Sequence, residues 1–210
     1  MPRLAALLAF AWVAWPFSQY ASSSNTNDTI QPALLVWGFY AVSSPALRGG
    51  LAALSAWTKL GALIVLPLWS GYPEARRLRP RLAFLAGAAV ATAAAFSVLL
   101  LEPSPIDAAV RFLHRTFGYQ VGRQSPFSIW GWGQYHARGL PDLAVVQKAL
   151  TGLLLVGAAA LAWWPRRRSA LQLAAFTTVL LAGLELVLTH WYYPYLVWFY
   201  PFAVITLLAI

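Results

Sequence analysis

Residues 111–133 read RFLHRTFGYQVGRQSPFSIWGWG and lie in the long polar interruption, 102–142, of an otherwise apolar chain. Read as a helix, the first part places Arg111, His114 and Arg115 on one face, because residues three and four apart are neighbours on a helix surface. The other side carries apolar residues: Phe112, Leu113 and Phe117. This pattern is typical of an amphipathic helix lying in a membrane surface. A solvated loop with interfacial anchors fits the same residues.

The composition is that of an integral membrane protein. Of the 210 residues, 60% are hydrophobic and 10% are charged, whereas a soluble domain carries about 25% charged residues. The net charge is +9, but the arginines lie at the ends of apolar runs, where membrane topology places them. We therefore expect no nucleic-acid partner. The chain has three histidines, no cysteine and no phosphate-loop motif, so neither a metal site nor a cofactor is predicted.

The apolar runs predict an all-α, multi-pass helical membrane protein with an extracytoplasmic amphipathic loop helix. A span needs about 20 apolar residues, and basic clusters mark cytoplasmic ends. Arginines at 76–81 and 166–168 are the clearest such markers, and they place the loop 102–142 outside. The predicted segments form a single transmembrane domain, 1–210: spans at about 4–20, 33–47, 82–101, 143–164, 170–189 and 195–210, with a hairpin at 51–70. The last run is still apolar where it stops, so we expect a longer protein.

The segment 51–70 is predicted as a hairpin because of charge placement. One span there would put Arg48 and the arginines at 76–81 on opposite sides of the membrane, whereas the positive-inside rule favours both inside. Residues 59–61, Lys-Leu-Gly, divide the run in half. We expect the tip there, with arms shielded by other helices. One full span is the simpler alternative.

Three charged residues lie close to or inside apolar runs. Lys59 and Glu185 are buried charges on this reading, and a charge at such depth costs a few kcal/mol and usually faces a partner or a polar cavity. A structural ion pair between Lys59 and Glu185 is one interpretation. Asp28 precedes the second run, where Asp28 or Thr29 can cap the next helix, with Pro32 in its first turn; for Asp28, capping is favoured over a role in catalysis.

Four groups of motifs occur in order along nearly the whole chain. They are NTND at 25–28, GLA at 50–52 with TK at 58–59 and LPL at 66–68, RQSPFSIWG at 123–131, and HWYYPYLVWFYPF at 190–202. In this order they resemble the multi-pass glycosyltransferases of the C fold that use polyprenol-phosphate sugars, and most of all the bacterial mannosyltransferase-like family 87.

The resemblance implies an enzyme of the bacterial plasma membrane. Such enzymes transfer a sugar, here mannose, from a polyprenyl-phosphate donor on the outer face to a lipid or glycan acceptor. Their catalytic base is an aspartate in the first extracytoplasmic loop. This sequence has no acidic residue in a comparable long loop, and Asp28, in a short turn, matches a different family position. We therefore expect a partial chain lacking the catalytic loop, or a chain that does not catalyse transfer alone, with Asp28 a weak candidate.

A donor phosphate at the membrane surface needs cations, and its leaving group needs them more. Arginine supplies paired, planar donors suited to phosphate. The predicted donor-phosphate residues are Arg111, His114, Arg115, Arg123 and His190. The aromatic residues predicted to contact prenyl chain or sugar are Trp130, Trp132, Tyr192 and Tyr193. Headgroup anchoring by the arginines and an interfacial aromatic belt are the alternatives.

Two other classes of protein fit part of the pattern. A transporter or flippase-like protein would explain buried charges and broken helices, but the apolar segments show no inverted repeat and charge collects in one outer loop. A noncatalytic membrane scaffold fragment is the other alternative. The ordered motifs favour the glycosyltransferase over both.

Overall fold

The computed structural model describes residues 2–24, 26–119, 123, 127–130 and 143–209, and these form helices and irregular segments without a β-strand. The α-helices are α1 (Pro2–Ala14), α2 (Pro16–Ser23), α3 (Ile30–Tyr40), α4 (Pro45–Thr58), α5 (Leu66–Ser70), α6 (Leu78–Phe96), α7 (Pro105–Leu113), α8 (Ala144–Ala160), α9 (Ala170–Val187) and α10 (Tyr200–Leu208). Short 3-10 helices occupy Leu60–Val65, Ser97–Leu101 and Tyr193–Val197, and a π-helical turn occupies His114–Gly118. The predicted all-α class is confirmed for these residues.

Two of the described helical segments are long and apolar enough to cross a membrane, Leu78–Leu101 and Ala170–Val187. A third candidate arises if α1 and α2, which meet at an angle of 62°, count as one span. The break lies at Trp15-Pro16, where proline cannot continue the hydrogen bonding of a helix. The number of crossings and the side on which each loop lies remain predictions.

The run predicted as one span at 33–47 consists of parts of two helices. α3 ends at Tyr40, and α4 begins at Pro45 after a turn. A residue before proline is disfavoured in the α region, and Ser44 accordingly has an extended backbone, with φ −101° and ψ 99°. Proline suits the first turn of a helix, because the N–H it lacks has no partner there. α4 therefore takes in the start of the predicted hairpin.

The chain turns back on itself at Lys59. α4 ends one residue earlier, and Lys59 has an extended backbone before the chain returns through Leu60–Val65 and α5. Near the start of α4, the Arg48 guanidinium donates to the carbonyl of Tyr72, just beyond α5, at 2.8 Å. The two arms therefore meet at one end. Both contribute to the main core, with Ala56 and Trp69 almost fully buried.

α4 and α6 approach each other at backbone distance because glycines lie at their contact. A Cβ atom on Gly49 would lie 2.0 Å from the carbonyl oxygen of Phe84, and one on Gly87 would lie 1.9 Å from that of Ala46. No larger residue fits either position without separating the helices. Small residues at helix contacts are typical of membrane proteins.

The described helices have two distinct polar ends. Arg48 lies in the first turn of α4 and Arg168 just before α9, whereas Lys59 follows α4 and His190 follows α9. We call the first the arginine end and the second the cavity end. α4 has 14 residues, which corresponds to about 21 Å along its axis, so the two ends are well separated.

Candidate functional site

A cavity of about 480 Å³ opens at the cavity end. Its residues come from six parts of the chain: the turn before α3, the end of α4 with the turn at Lys59, the segment of α7 and the π-helical turn, residue 123, the end of α9, and the segment 190–198. The lining residues are Asn27, Trp57, Thr58, Lys59, Leu60, Gly61, Phe112, Thr116, Arg123, Leu184, Leu188, His190, Tyr195 and Trp198. The lining thus combines basic groups with aromatic and aliphatic walls.

Lys59 is held in this wall by a carboxylate. Its Nζ atom lies 3.2 Å from Oδ1 of Asp28, and the indole N–H of Trp198 donates to the same oxygen at 3.1 Å. Asp28 is 3% exposed. The ammonium also lies 5.7 Å from the centre of the Tyr195 ring, within the range of a cation–π contact. Lys59 therefore has a fixed position at the cavity.

This pair corrects two interpretations of the sequence. Helix capping by Asp28 is wrong, because α3 begins at Ile30 with Thr29 at its N-cap position and no side-chain capping bond. An ion pair between Lys59 and Glu185 is also wrong, because Lys59 contacts Asp28. Glu185 is buried and interacts with the Trp191 side chain. Its Oε1 atom has no hydrogen-bond partner among the described residues.

Arg123 occupies the cavity among tyrosines. Its guanidinium lies beside the Tyr195 side chain, 5.3 Å from the ring centre of Tyr192 and 5.5 Å from that of Tyr119. Its carbonyl accepts a hydrogen bond from Thr189 Oγ1 at 3.1 Å. These contacts tie residue 123 to the segment that follows α9, although the two are far apart in sequence.

His190 contributes an imidazole side chain to the lining of this cavity. Burial lowers its pKa, and the nearby positive charges of Arg123 and Lys59 lower it further. The neutral ring is therefore favoured near pH 7. Its Nδ1 atom is buried, and in the part of the chain that the structure describes it has no hydrogen-bond partner. A neutral imidazole beside two cations can hydrogen-bond an anionic ligand without adding a third fixed charge.

The predicted phosphate residues divide into two groups. Arg123 and His190 line the cavity, and Lys59, predicted only as a buried charge, joins them. The other three are exposed and do not line it: Arg111, His114 and Arg115. From the same segment, Phe112 and Thr116 face the cavity instead. Residues four apart share a helix face, and one step along the helix turns about 100° away from it.

The predicted aromatic contacts also differ in placement. Trp130 donates its indole N–H to the carbonyl of Leu186 at 2.7 Å, which attaches the segment 127–130 to the end of α9. Tyr192 lies beneath Arg123, whereas Tyr193 is 44% exposed. Trp132 lies outside the described residues. Of the three described residues in this predicted set, Tyr192 is the one in contact with a cationic group of the cavity.

Two aromatic residues of the site, Tyr195 and Trp198, were not among the predicted contacts. Their rings stack on each other with centres 4.2 Å apart, and each contacts a member of the Asp28–Lys59 pair. Both lie in the motif HWYYPYLVWFYPF at 190–202. The motif singled out the segment but not the residues within it, because alternate aromatics of such a run are indistinguishable until their packing is known.

Comparison with known families gives one match. The model of glycosyltransferase family 87 matches residues 1–189 of the 210, a range that contains Asp28, Lys59 and Arg123 and ends just before His190. No curated protein matches the chain, and no solved structure does.

Proposed function

The chain belongs to glycosyltransferase family 87, and on that premise we propose that it transfers a sugar from a polyprenyl-phosphate donor to an extracytoplasmic lipid or glycan acceptor. The family predicted from the order of the motifs is confirmed. Family membership and the apolar helices identify a membrane glycosyltransferase. The proposal adds the donor class, mannose as the sugar, a multi-pass topology and a bacterial plasma membrane location.

The cavity at Lys59, Arg123 and His190 is the observation that supports this donor class. Two cations and a neutral imidazole converge there beside aromatic walls. A polyprenyl-phosphate sugar is a phosphodiester whose sugar and phosphate lie at the membrane surface. Its head therefore requires positive charge and hydrogen-bond donors next to apolar surface. The cavity provides both in about 480 Å³.

Each residue has a distinct role in this proposal. Arg123 supplies two N–H donors in a planar fork to the phosphate oxygens, and Lys59 supplies a point charge. His190 supplies a neutral imidazole beside the two cations. The stacked rings of Tyr195 and Trp198 offer an apolar face to the sugar. Asp28 acts through Lys59 and is a positioning residue, since its Oδ1 atom binds the ammonium and the Trp198 indole.

The transfer breaks the bond between the anomeric carbon and the phosphate oxygen and forms one to the acceptor oxygen. The acceptor hydroxyl loses its proton, and polyprenyl phosphate leaves with an additional negative charge. That charge develops at the oxygen nearest the cations, so Lys59 and Arg123 stabilise the transition state more than the bound donor. Asp28 stays the weak candidate for the base, because its Oδ1 atom is already engaged.

Substitution of Arg123 tests the proposal. We expect Arg123→Ala to weaken binding of a synthetic polyprenyl-phosphate mannose by roughly 10- to 100-fold, since hydrogen bonds to charged groups contribute about 1.5–3 kcal/mol. Arg123→Lys should recover part of the affinity, because it keeps the charge but loses the fork. Arg115→Ala is the matched control, since Arg115 is exposed and does not line the cavity. The measurement is a titration in nanodiscs.

Polyprenyl phosphate without the sugar and the unphosphorylated prenol separate recognition of the head from insertion of the tail. Binding of the donor and the prenol with equal affinity would refute a site for the sugar-phosphate head. The proposal also fails if Arg123→Ala binds the donor as well as the unsubstituted chain does. An equal loss in Arg115→Ala and Arg123→Ala would mean anchoring to headgroups instead.

A further inference from the structure

Two arginine-rich segments, 72–81 and 161–169, are joined into one surface at the arginine end. Glu74 and Arg167 form an isolated antiparallel β-bridge. The N–H of Ala75 donates to the carbonyl of Arg166 at 2.8 Å, and the N–H of Arg168 donates to that of Pro73 at 2.9 Å. Segments about 90 residues apart in sequence are therefore held side by side by backbone hydrogen bonds.

Buried guanidinium groups underlie this surface. Arg48 is fully buried and donates to the carbonyls of Val42 and Tyr72. Arg168 is also buried and donates to the carbonyls of Leu68 and Leu161, and the half-buried Arg81 donates to that of Ala162. Their partners are neutral backbone oxygens, so hydrogen bonding is provided but the positive charge is not neutralised. Burial and the charge of Arg81 together lower the pKa of Arg168.

Further arginines are exposed above these groups. We call them the arginine face: Arg76, Arg77, Arg79, Arg166 and Arg167. Glu74 is the one acidic residue in the two segments. It lies 2.7 Å from Arg77 and 3.9 Å from Arg167, and it neutralises a single charge. A strong positive potential is therefore directed outward at this end.

Large apolar side chains flank the arginine face. Trp163 and Trp164 are 60% and 70% exposed, and Leu78 and Leu82 in the first turns of α6 are 66% and 54% exposed. α6 continues from there as a long apolar helix with few buried residues. Exposed tryptophans beside the end of such a helix are typical of the boundary between hydrocarbon and headgroups. On this pattern, the arginines are expected at the level of the lipid phosphates.

We propose that the arginine face is a binding site for the headgroups of anionic phospholipids. The ligand needs a phosphodiester charge for the arginines and acyl chains for the adjacent tryptophans and leucines. A phosphatidylglycerol-type lipid carries both in one molecule, whereas an acidic protein segment would leave the apolar surroundings uncovered. Each exposed arginine near a membrane surface contributes attraction to anionic lipid. The site lies at the opposite end of α4 from the proposed donor cavity and is independent of it.

Spin-labelled lipids test this site on the full chain in phosphatidylcholine bilayers at low salt. Electron paramagnetic resonance gives the ratio of the association constants of phosphatidylglycerol and phosphatidylcholine. We expect a ratio well above one for the unsubstituted chain, falling by up to roughly fivefold per arginine removed in the variant Arg166→Gln with Arg167→Gln. Replacement of both by lysine should preserve most of the ratio, since the attraction depends on charge. Arg167 is 84% exposed, so folding should be unaffected.

The matched control removes two positive charges elsewhere, by Arg115→Gln with Lys148→Gln, both at exposed positions. An unchanged ratio in the Arg166–Arg167 variant would overturn the proposal. So would an equal fall in the control, which would mean that net charge alone selects the lipid. Displacement of phosphatidylglycerol by a soluble polyglutamate peptide, with higher affinity than the lipid, would assign the face to an acidic protein and likewise overturn it.

Discussion

The two polar ends of this molecule use their buried and half-buried positive charges in different ways. At the arginine end, the guanidinium of Arg48 is buried and bonded to backbone carbonyls. At the cavity end, Arg123 and Lys59 face about 480 Å³ of space, with Lys59 held by a carboxylate. The first arrangement satisfies backbone carbonyls in the turns between helices. The second leaves positive charge available to a ligand.

The difference shows that the burial of a charged side chain does not by itself identify a ligand-binding residue. A guanidinium has five donors and can satisfy several carbonyls at once, so it can serve as a structural connector where the chain turns. A lysine with one carboxylate partner keeps further donor capacity. The bonding partners of a buried cation, and the space next to it, are therefore better guides to a ligand site than its burial.

The largest expected contrast is accessibility from the two sides of the membrane. The chain has no cysteine, so single cysteines can be introduced without background. We expect Ser104→Cys and Tyr193→Cys to react with an impermeant thiol reagent added outside intact cells, and Arg79→Cys and Arg167→Cys to react only after permeabilisation. Labelling of position 79 or 167 from outside would show that the predicted orientation is wrong.

Removal of the buried arginine, Arg48, should reduce stability more than removal of an exposed arginine. We expect Arg48→Met to lower the free energy of unfolding by about 2–4 kcal/mol, because the carbonyls of Val42 and Tyr72 lose a buried donor. Arg79→Met, at an exposed position, should change it by less than about 0.5 kcal/mol. Reversible unfolding in mixed micelles measures both. Similar values for the two variants would contradict a structural role for Arg48.

A double-mutant cycle tests the partner of Lys59. We expect Asp28→Asn and Lys59→Met to show a coupling free energy of about 1 kcal/mol or more, because the two side chains are in contact at 3.2 Å. A cycle between Lys59→Met and Glu185→Gln should give a value near zero. The same unfolding assay serves for both cycles. Coupling of Lys59 to Glu185 alone would instead support the pair predicted from the sequence.

The smallest expected effect is a pH dependence of donor binding. Burial, Arg123 and Lys59 lower the pKa of His190, and a bound phosphodiester would raise it again, since an adjacent anion favours the imidazolium. Binding would then take up protons, so donor affinity should rise as pH falls from about 7 towards 5, by less than tenfold per pH unit. The phosphodiester does not titrate there. His190→Gln should remove the slope, and an unchanged slope would exclude His190 as its source.

Stability should depend on pH in the opposite sense. Because the pKa of His190 is lowered in the folded protein, the unfolded chain binds more protons below about pH 6.5. The contribution of His190 to stability is therefore fully present above that pH and decreases as pH falls through it. Donor affinity must accordingly be measured under conditions where the protein stays folded, with His190→Gln as the reference in both assays.

Local patterns were sufficient to predict the class of structure and the family. Apolar runs predict helices because 3.6-residue periodicity and span length are properties of adjacent residues. The order of the motifs from 25–28 to 190–202 predicts family 87, now confirmed. Arg123 and His190 could be selected as well, because each lies in one of those motifs and carries chemistry suited to phosphate.

The arrangement of the site depended on tertiary packing. Nothing local joins Asp28, Lys59 and Trp198, since their contacts follow from where α3, the turn after α4 and the segment 193–197 come together. Likewise, whether Arg115 or Thr116 faces the cavity depends on how the helical segment is rotated about its own axis. The elements packed against that segment determine this rotation. Periodicity specifies that a helix has two faces, but only packing against the rest of the molecule decides which face lines the cavity.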